Sequence, residues 1–187
     1  SPLLEEIHLP NCANSLFERL ILTERAAGRT DFIGTLRKQG RMHPDIAAFP
    51  NTYFYEREQL ECVPLAHQTE PNLPYNEPSE DKTDDFLKAH RMVFIPSKSC
   101  RQPYISEKVN TEEARIVADL VRRLYRQMGT TFDAQKSIGI IVPYRNQIAM
   151  IRKELEQLRL HTIDKISIDT VERYQGSQRD VIIYSFT

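Results

Sequence analysis

Arg41 is the residue best suited to chemistry. It stands in the run Gln39-Gly40-Arg41-Met42-His43-Pro44, with Ile46, Phe49, Asn51 and Phe54-Tyr55 following. A guanidinium is planar, permanently charged and able to make two parallel hydrogen bonds to phosphoryl oxygens. Phosphoryl transfer concentrates charge on those oxygens, and an arginine that reaches them raises the rate by about 10³–10⁵ in comparable enzymes. An arginine supplied by a second domain also couples hydrolysis to domain closure. Taken alone, Arg41 reads as a surface arginine in a salt bridge, and its neighbours must decide. His43 reads as a packing or capping residue at a helix start rather than a catalytic base.

Two later segments carry polar residues at expected strand ends. One is Ile140-Ile141-Val142-Pro143-Tyr144-Arg145-Asn146-Gln147. The other is Asp169-Thr170-Val171-Glu172-Arg173-Tyr174-Gln175-Gly176-Ser177-Gln178-Arg179-Asp180-Val181-Ile182. Glycine at 176 allows a backbone to approach a phosphate closely, and the Gln175 amide both donates and accepts. The plainer alternative is a turn with a polar residue. Tyr144 has two open readings, a buried core aromatic or part of a binding track. Arg145, Arg152 and Lys153 add local positive charge, as solvated helix faces often do.

The elements around these segments follow from spacing. Ser15 is a potential N-cap for a helix over 15–27. A short strand is expected around Thr35–Gln39. Pro44 suits the first turn of a helix, with Ile46, Ala47, Phe49, Tyr53 and Phe54 on its buried side and Pro50 shortening or kinking it. Residues 62–90 hold Pro64, Pro71, Pro74 and Pro78, then Glu80-Asp81 and Asp84-Asp85. They read as a long exposed loop or insertion, with a domain-splitting linker as the alternative. Met92–Ile95 reads as a short strand. Ala114, Val117, Leu120, Val121, Leu124 and Tyr125 keep the three/four spacing of an amphipathic helix over 111–128, with Asn110 and Glu113 at its start. Ile138–Val142 is a strand covered on both faces. A helix over 145–159 and strands at 166–168 and 181–186 complete the series. Strands alternating with helices predict an α/β fold with a mostly parallel sheet and helices on both faces. In such sheets ligands bind beyond the carboxyl ends of the strands, which singles out Pro143–Gln147 and Asp169–Gly176. No internal repeat is visible.

Composition narrows the function classes. The 187 residues suit one domain, 1–187, able to bury a core without metals or disulfides. The net charge of −1 gives no bulk argument for nucleic-acid binding, so any such surface must be local. Cys12, Cys62 and Cys100 are scattered, without paired metal spacing. They argue against a disulfide framework and fit a cytoplasmic protein. No run is long and apolar enough to span a membrane, and no signal-like start is present. No Gly-x-x-x-x-Gly-Lys-Ser/Thr phosphate loop occurs. The chain begins at Ser1 and stops after a strand, which reads as an excised or truncated domain.

The three segments, in this order, resemble the second RecA-like motor domain of superfamily 1 helicases. The branch concerned contains the nonsense-mediated-decay RNA helicase and the Okazaki-fragment nuclease-helicase. The first segment is similar to the family's Gln-Tyr-Arg-Met-His-Pro pattern, the third to its Gln-Gly-x-Glu-x-Asp run. Ser15-Leu16-Phe17, and Asn110 with Glu113-Ala114, also look like family positions. The resemblance spans nearly the whole chain. It implies a RecA-like domain without its own P-loop, one wall of an ATP site shared with the first RecA-like domain of the same parent. It implies that Arg41 senses and stabilises the γ-phosphate. Gln39, Gly40, Gln175, Gly176 and Gln178 fall at nucleotide positions. Thr170 resembles the hydroxyl residue on the nucleic-acid backbone, with a strand-end capping threonine as the alternative. Pro143, Tyr144 and Gln147 would line the same track for single-stranded DNA or RNA, with 5′-to-3′ travel suggested by the branch. Magnesium would be held by the parent's missing acidic motif, since this chain lacks it. The fragment alone is expected to be inactive.

Two positions depart from the family. Gly40 replaces a tyrosine that resembles a stacking contact for the base or ribose. Gln178 replaces a glutamate that resembles a ribose ligand, and an amide lacks charge assistance there. Together they imply weaker base discrimination. A degenerate, non-catalytic module that binds nucleic acid or protein is the competing expectation. An unrelated nucleotide-binding α/β domain would need the ordered motifs to be chance.

Overall fold

The computed structural model describes residues 15–70, 73–97 and 108–187. Cys12 and Cys100 lie outside these residues. The chain divides into two compact units, Ser1–Thr69 and Glu70–Thr187.

In the first unit, helix α1 spans Leu16–Ala26, and the Ser15 hydroxyl accepts from Glu18 N, as its position predicts. None of its residues is buried. Strand β1, Lys38–Gln39, pairs in parallel with β2, Glu61–Cys62. Between them, α2 runs Pro44–Tyr53 with Pro50 inside it. Its expected buried side differs from the sequence reading. Of the five residues expected to be inside, only Ala47 is buried, while Tyr53 and Phe54 are each 70% exposed. Phe49, Tyr53 and Phe54 instead cluster with one another, with ring centroids 5.0 and 6.3 Å apart. Phe49 and Tyr53, four residues apart, share one face of the helix, and that face lies in solvent rather than in a core. A one-turn helix α3, Ala66–Thr69, ends the unit.

The second unit holds the parallel sheet. Helix α4 spans Lys82–Ala89, inside the segment expected to be an exposed loop. The acidic run explains it. Asp81 caps the helix by accepting from Thr83 N and Asp84 N. Asp84 is fully buried, where Arg123, Arg126 and Glu80 N meet it. Polar composition suggested solvent, but these carboxylates have partners some forty residues away in sequence, which local reading cannot see.

Helix α5 spans Thr111–Met128, as its periodicity predicts, and Asn110 accepts from Glu113 N. Strand β3 is Ile138–Val142, α6 is Arg145–Gln157, β4 is Ser167–Thr170, α7 is the single turn Val171–Tyr174, and β5 is Val181–Tyr184. Sheet order is β4-β3-β5, all parallel. Ile140 pairs with Ile168 on one side and Ile183 on the other, so three isoleucines line up across the sheet. These join Val117, Val121 and Leu124 of α5 and Ile151 and Leu155 of α6 in the core. Met92–Ile95 is not a strand; it makes no ladder pairing, and Phe94 is largely exposed. Apolar composition alone therefore misassigned it.

The other sheet face is set by a glycine. A Cβ on Gly139 would fall 2.0 Å from the Tyr174 oxygen and 2.9 Å from Arg179 Cγ. Tyr174 is buried there, its hydroxyl 2.5 Å from Ser167 Oγ, and Arg179 Nη2 donates to the same oxygen at 3.2 Å. An isolated glycine within an apolar strand is the sequence signal for such close approach. Gly139→Ala should lower stability by about 1–3 kcal/mol through overpacking. Combining it with Tyr174→Ala should cost less than the two separate losses added, because the second change vacates the contested space. Chemical denaturation of the three variants checks this, and strict additivity would count against the contact.

Candidate functional site

Arg41 is exposed at the centre of a loop whose backbone is tied down on several sides. The Gln39 side chain folds over its own loop. Its Oε1 accepts from Arg41 N at 2.9 Å and Met42 N at 2.7 Å, while Nε2 donates to Met42 O at 2.8 Å. From outside the loop, Gln68 Nε2 donates to both Gln39 O (2.9 Å) and Met42 O (3.0 Å). Cys62 Sγ donates to Met42 O at 3.2 Å, and His67 Nε2 lies 2.9 Å from Gly40 O. His43 caps α2, its Nδ1 accepting from Asp45 N at 3.2 Å, the capping role expected for it.

These bonds redefine Gln39. Its amide atoms are occupied by the loop and by Cys62 Sγ, to which Nε2 donates at 2.8 Å, so it shapes the backbone around Arg41. A Cβ at Gly40 would meet only Leu65 Cδ1, at 3.6 Å, an ordinary contact. A Cβ is therefore accommodated there. Sequence reasoning missed Gln68, Cys62 and His67, because their partners lie across a parallel strand pair and nothing local marks them.

In the second unit, the carboxyl edge of the sheet gathers several expected residues. Val142 and Thr170 are register partners, so Pro143 and Thr170 stand at the same edge. Tyr144 follows as the N-cap position of α6; it is 43% exposed, with Lys108 Nζ 5.4 Å from its ring centre. Of its two readings, the buried core aromatic is excluded.

Gln147 is corrected by the structure. It is 0% exposed. Its Oε1 accepts from Asn110 N at 2.9 Å and its Nε2 donates to Asn110 O at 2.9 Å. It thus joins the start of α5 to the first turn of α6 and presents nothing to a strand. Glu113 works beside it, accepting from Phe186 N at 2.5 Å. Both residues position the sheet edge.

Thr170 is half-buried and makes no side-chain cap bond to α7. Glu172's own backbone N–H, then the Thr170 hydroxyl, and more weakly Arg145, hold the Glu172 carboxyl below its ordinary range. Gln175 and Gly176 form a tight turn: Gln175 has φ −55° and ψ 130°, Gly176 has φ 84°, and Ser177 N donates to Tyr174 O at 3.0 Å. That is type II geometry, which calls for glycine at its third position. Gln175, Gly176 and Gln178 are all exposed on it. Tyr174 and Arg179, anchored at Gly139, fix the turn from below.

Known proteins show what this chain resembles. A family model described as AAA domain matches residues 12–187. Helicase SEN1 of Saccharomyces cerevisiae is 30% identical over 155 residues, covering 79% of this chain and 6% of that protein. The DNA polymerase alpha-associated DNA helicase A of the same yeast is 27% identical, covering 94% of this chain and 25% of its own length. A putative regulator of nonsense transcripts 1 from Takifugu rubripes is 29% identical, covering 92% of this chain and 14% of its own. The chain thus spans a quarter or less of each of these relatives. Among the described residues, no helix is long and apolar enough to cross a membrane.

Proposed function

The chain belongs to the AAA domain family, and from that premise we propose that it is the second RecA-like motor domain of an ATP-dependent superfamily 1 helicase. The observation that supports this best is the Arg41 loop. It holds a guanidinium exposed on a backbone already ordered by four neighbouring side chains. Electrostatic stabilisation of a transition state is strongest when the charge is preorganised in this way.

In this reading ATP binds between this domain and the first RecA-like domain of the parent. Arg41 donates to the γ-phosphate oxygens as charge shifts during transfer. The exposed Gln175-Gly176 turn and Gln178 face the nucleotide or the partner domain. Magnesium, bound with the nucleotide, would supply positive charge against the phosphates. Its ligands would come from the acidic motif of the first RecA-like domain. Pro143, Tyr144 and Thr170, together at the carboxyl edge of the sheet, touch a DNA or RNA single strand. Backbone contacts and ring stacking hold any sequence, which suits a translocating motor.

The test is ATP hydrolysis by the parent protein, with and without single-stranded nucleic acid. Stimulation supports the motor. Binding of nucleic acid with no stimulated hydrolysis moves the chain to the competing class, a degenerate binding module.

Gly40 gives a second prediction. With a Cβ accommodated beside Leu65, Gly40→Tyr should supply the missing stacking surface. Adenine nucleotides should then compete for the site several-fold better than pyrimidine nucleotides, where the parent discriminates weakly; aromatic–base stacking contributes about 1–3 kcal/mol. Strong adenine selectivity already present in the unaltered parent would defeat the prediction.

A further inference from the structure

We propose that Gln68 is a positioning residue that sets Arg41 in place for catalysis, an inference that rests on the role of Arg41 given above. Gln68 lies outside every motif in the sequence. It is nonetheless 0% exposed, although it sits on the four-residue helix α3 in a unit where, among described residues, only Ala47 is also buried. A glutamine is seldom so enclosed without a purpose, because its amide must find partners.

Its partners are specific. One nitrogen, Nε2, reaches Gln39 O at 2.9 Å and Met42 O at 3.0 Å. Those carbonyls flank Gly40 and Arg41, so one amide clasps both ends of the tetrapeptide. Inside the clasp, Gln39 Oε1 holds Arg41 N and Met42 N. Gln39 O also accepts from Val63 N at 3.0 Å, tying the clasp to the strand pair. The Gln68 Oε1 atom, by contrast, is buried without a partner. An orphaned buried acceptor costs stability. Packing alone would favour an apolar residue of this size, so the amide is accounted for by the two bonds it donates. Removing them frees the loop to shift, and a displacement near 1 Å at a catalytic group can cost about a hundredfold in rate.

Gln68→Met tests this, since it keeps length and volume but donates nothing. The first measurement needs no nucleotide: amide hydrogen exchange over residues 39–42 of the parent protein. Exchange there should quicken about tenfold or more, with α1 and the second unit unchanged. The second is nucleic-acid-stimulated hydrolysis in both the native and the Arg41→Ala backgrounds. In the native background kcat should fall about ten- to a hundredfold with KM little changed. In the Arg41→Ala background it should fall no further. If Gln68→Met fails to fold, Gln68→Asn keeps the amide but withdraws it by one methylene, and the same pattern is expected.

Unchanged exchange at 39–42 overturns the clasp. Faster exchange with unchanged kcat, while Arg41→Ala is severely impaired, overturns the positioning role and leaves Arg41 intact. An equal loss of kcat in both backgrounds shows a structural effect and also overturns it. If Arg41→Ala itself leaves hydrolysis unchanged, the function proposed for Arg41 is wrong, and Gln68 loses this role with it.

Discussion

Replacing Arg41 by alanine in the proposed motor should lower stimulated ATP hydrolysis by about 10³–10⁵ while leaving nucleotide binding largely in place. That factor corresponds to about 4–7 kcal/mol of transition-state stabilisation. The expectation separates chemistry from folding. The Arg41 side chain is exposed, and the loop is held through the backbone N–H of residue 41, which alanine retains. Exposed substitutions of this kind usually change stability by only about 0.5 kcal/mol. A large loss of kcat with an unchanged unfolding midpoint therefore points to the guanidinium. Arg41→Lys should rescue little, because an ammonium keeps the charge but cannot make the two-pronged contact. The measurement is steady-state hydrolysis at saturating single-stranded nucleic acid, beside direct nucleotide titration. A loss of threefold or less would remove Arg41 from the transition state.

The largest stability effect is expected at Asp84. Burial pushes its carboxyl pKa up, but the Glu80 N–H and the Arg123 and Arg126 guanidinia outweigh that and hold it well below the usual carboxylate range. Arg123 is raised in turn, by Asp119 first and then by Asp81 and Asp84. Asp84→Ala would leave two guanidinia beside an empty, shielded position. Removing one partner of a buried pair costs about 3–5 kcal/mol. Against a total of about 5–15 kcal/mol for an ordinary domain, that is a large share. Asp84→Asn should cost less, since an amide oxygen can still accept from Glu80 N.

The same network predicts acid sensitivity. A carboxyl whose folded pKa is depressed stabilises the fold fully above its unfolded value, about 3.9 for aspartate. As pH falls below that value the unfolded state binds the proton more readily, and stability is lost down to the depressed folded pKa. Asp81 and Asp119 are lowered as well and act in the same direction. Denaturation midpoints measured from pH 7 downward should therefore fall steeply below about pH 4. Asp84→Ala should start lower and fall less. Parallel pH profiles for the two proteins would show that Asp84 does not carry this linkage.

Elements whose signals are local can be read from the chain alone. Ser15 and Asn110 mark helix starts because a short polar side chain satisfies a backbone N–H three residues on. The spacing of Val117, Val121 and Leu124 defines α5, because one stripe of a helix must face a core. The run Ile138–Val142 marks a strand with both faces covered, and alternation of strands with helices implies the parallel sheet. Pro143 and Thr170 could be placed at one edge for the same reason: parallel strands bring their carboxyl ends together. Whatever depends on distant partners emerges only on folding. Gln147 was read as a surface residue and is a buried link to Asn110, thirty-seven residues away in sequence. Asp84 was read as solvated and is enclosed by Arg123 and Arg126. Gln68 had no signal at all, and it clasps the Arg41 loop across twenty-six and twenty-nine residues. The physical reason is the same in each case. A polar side chain is indifferent to burial until its partner is known, whereas an apolar stripe or a helix cap carries its requirement in its own neighbourhood.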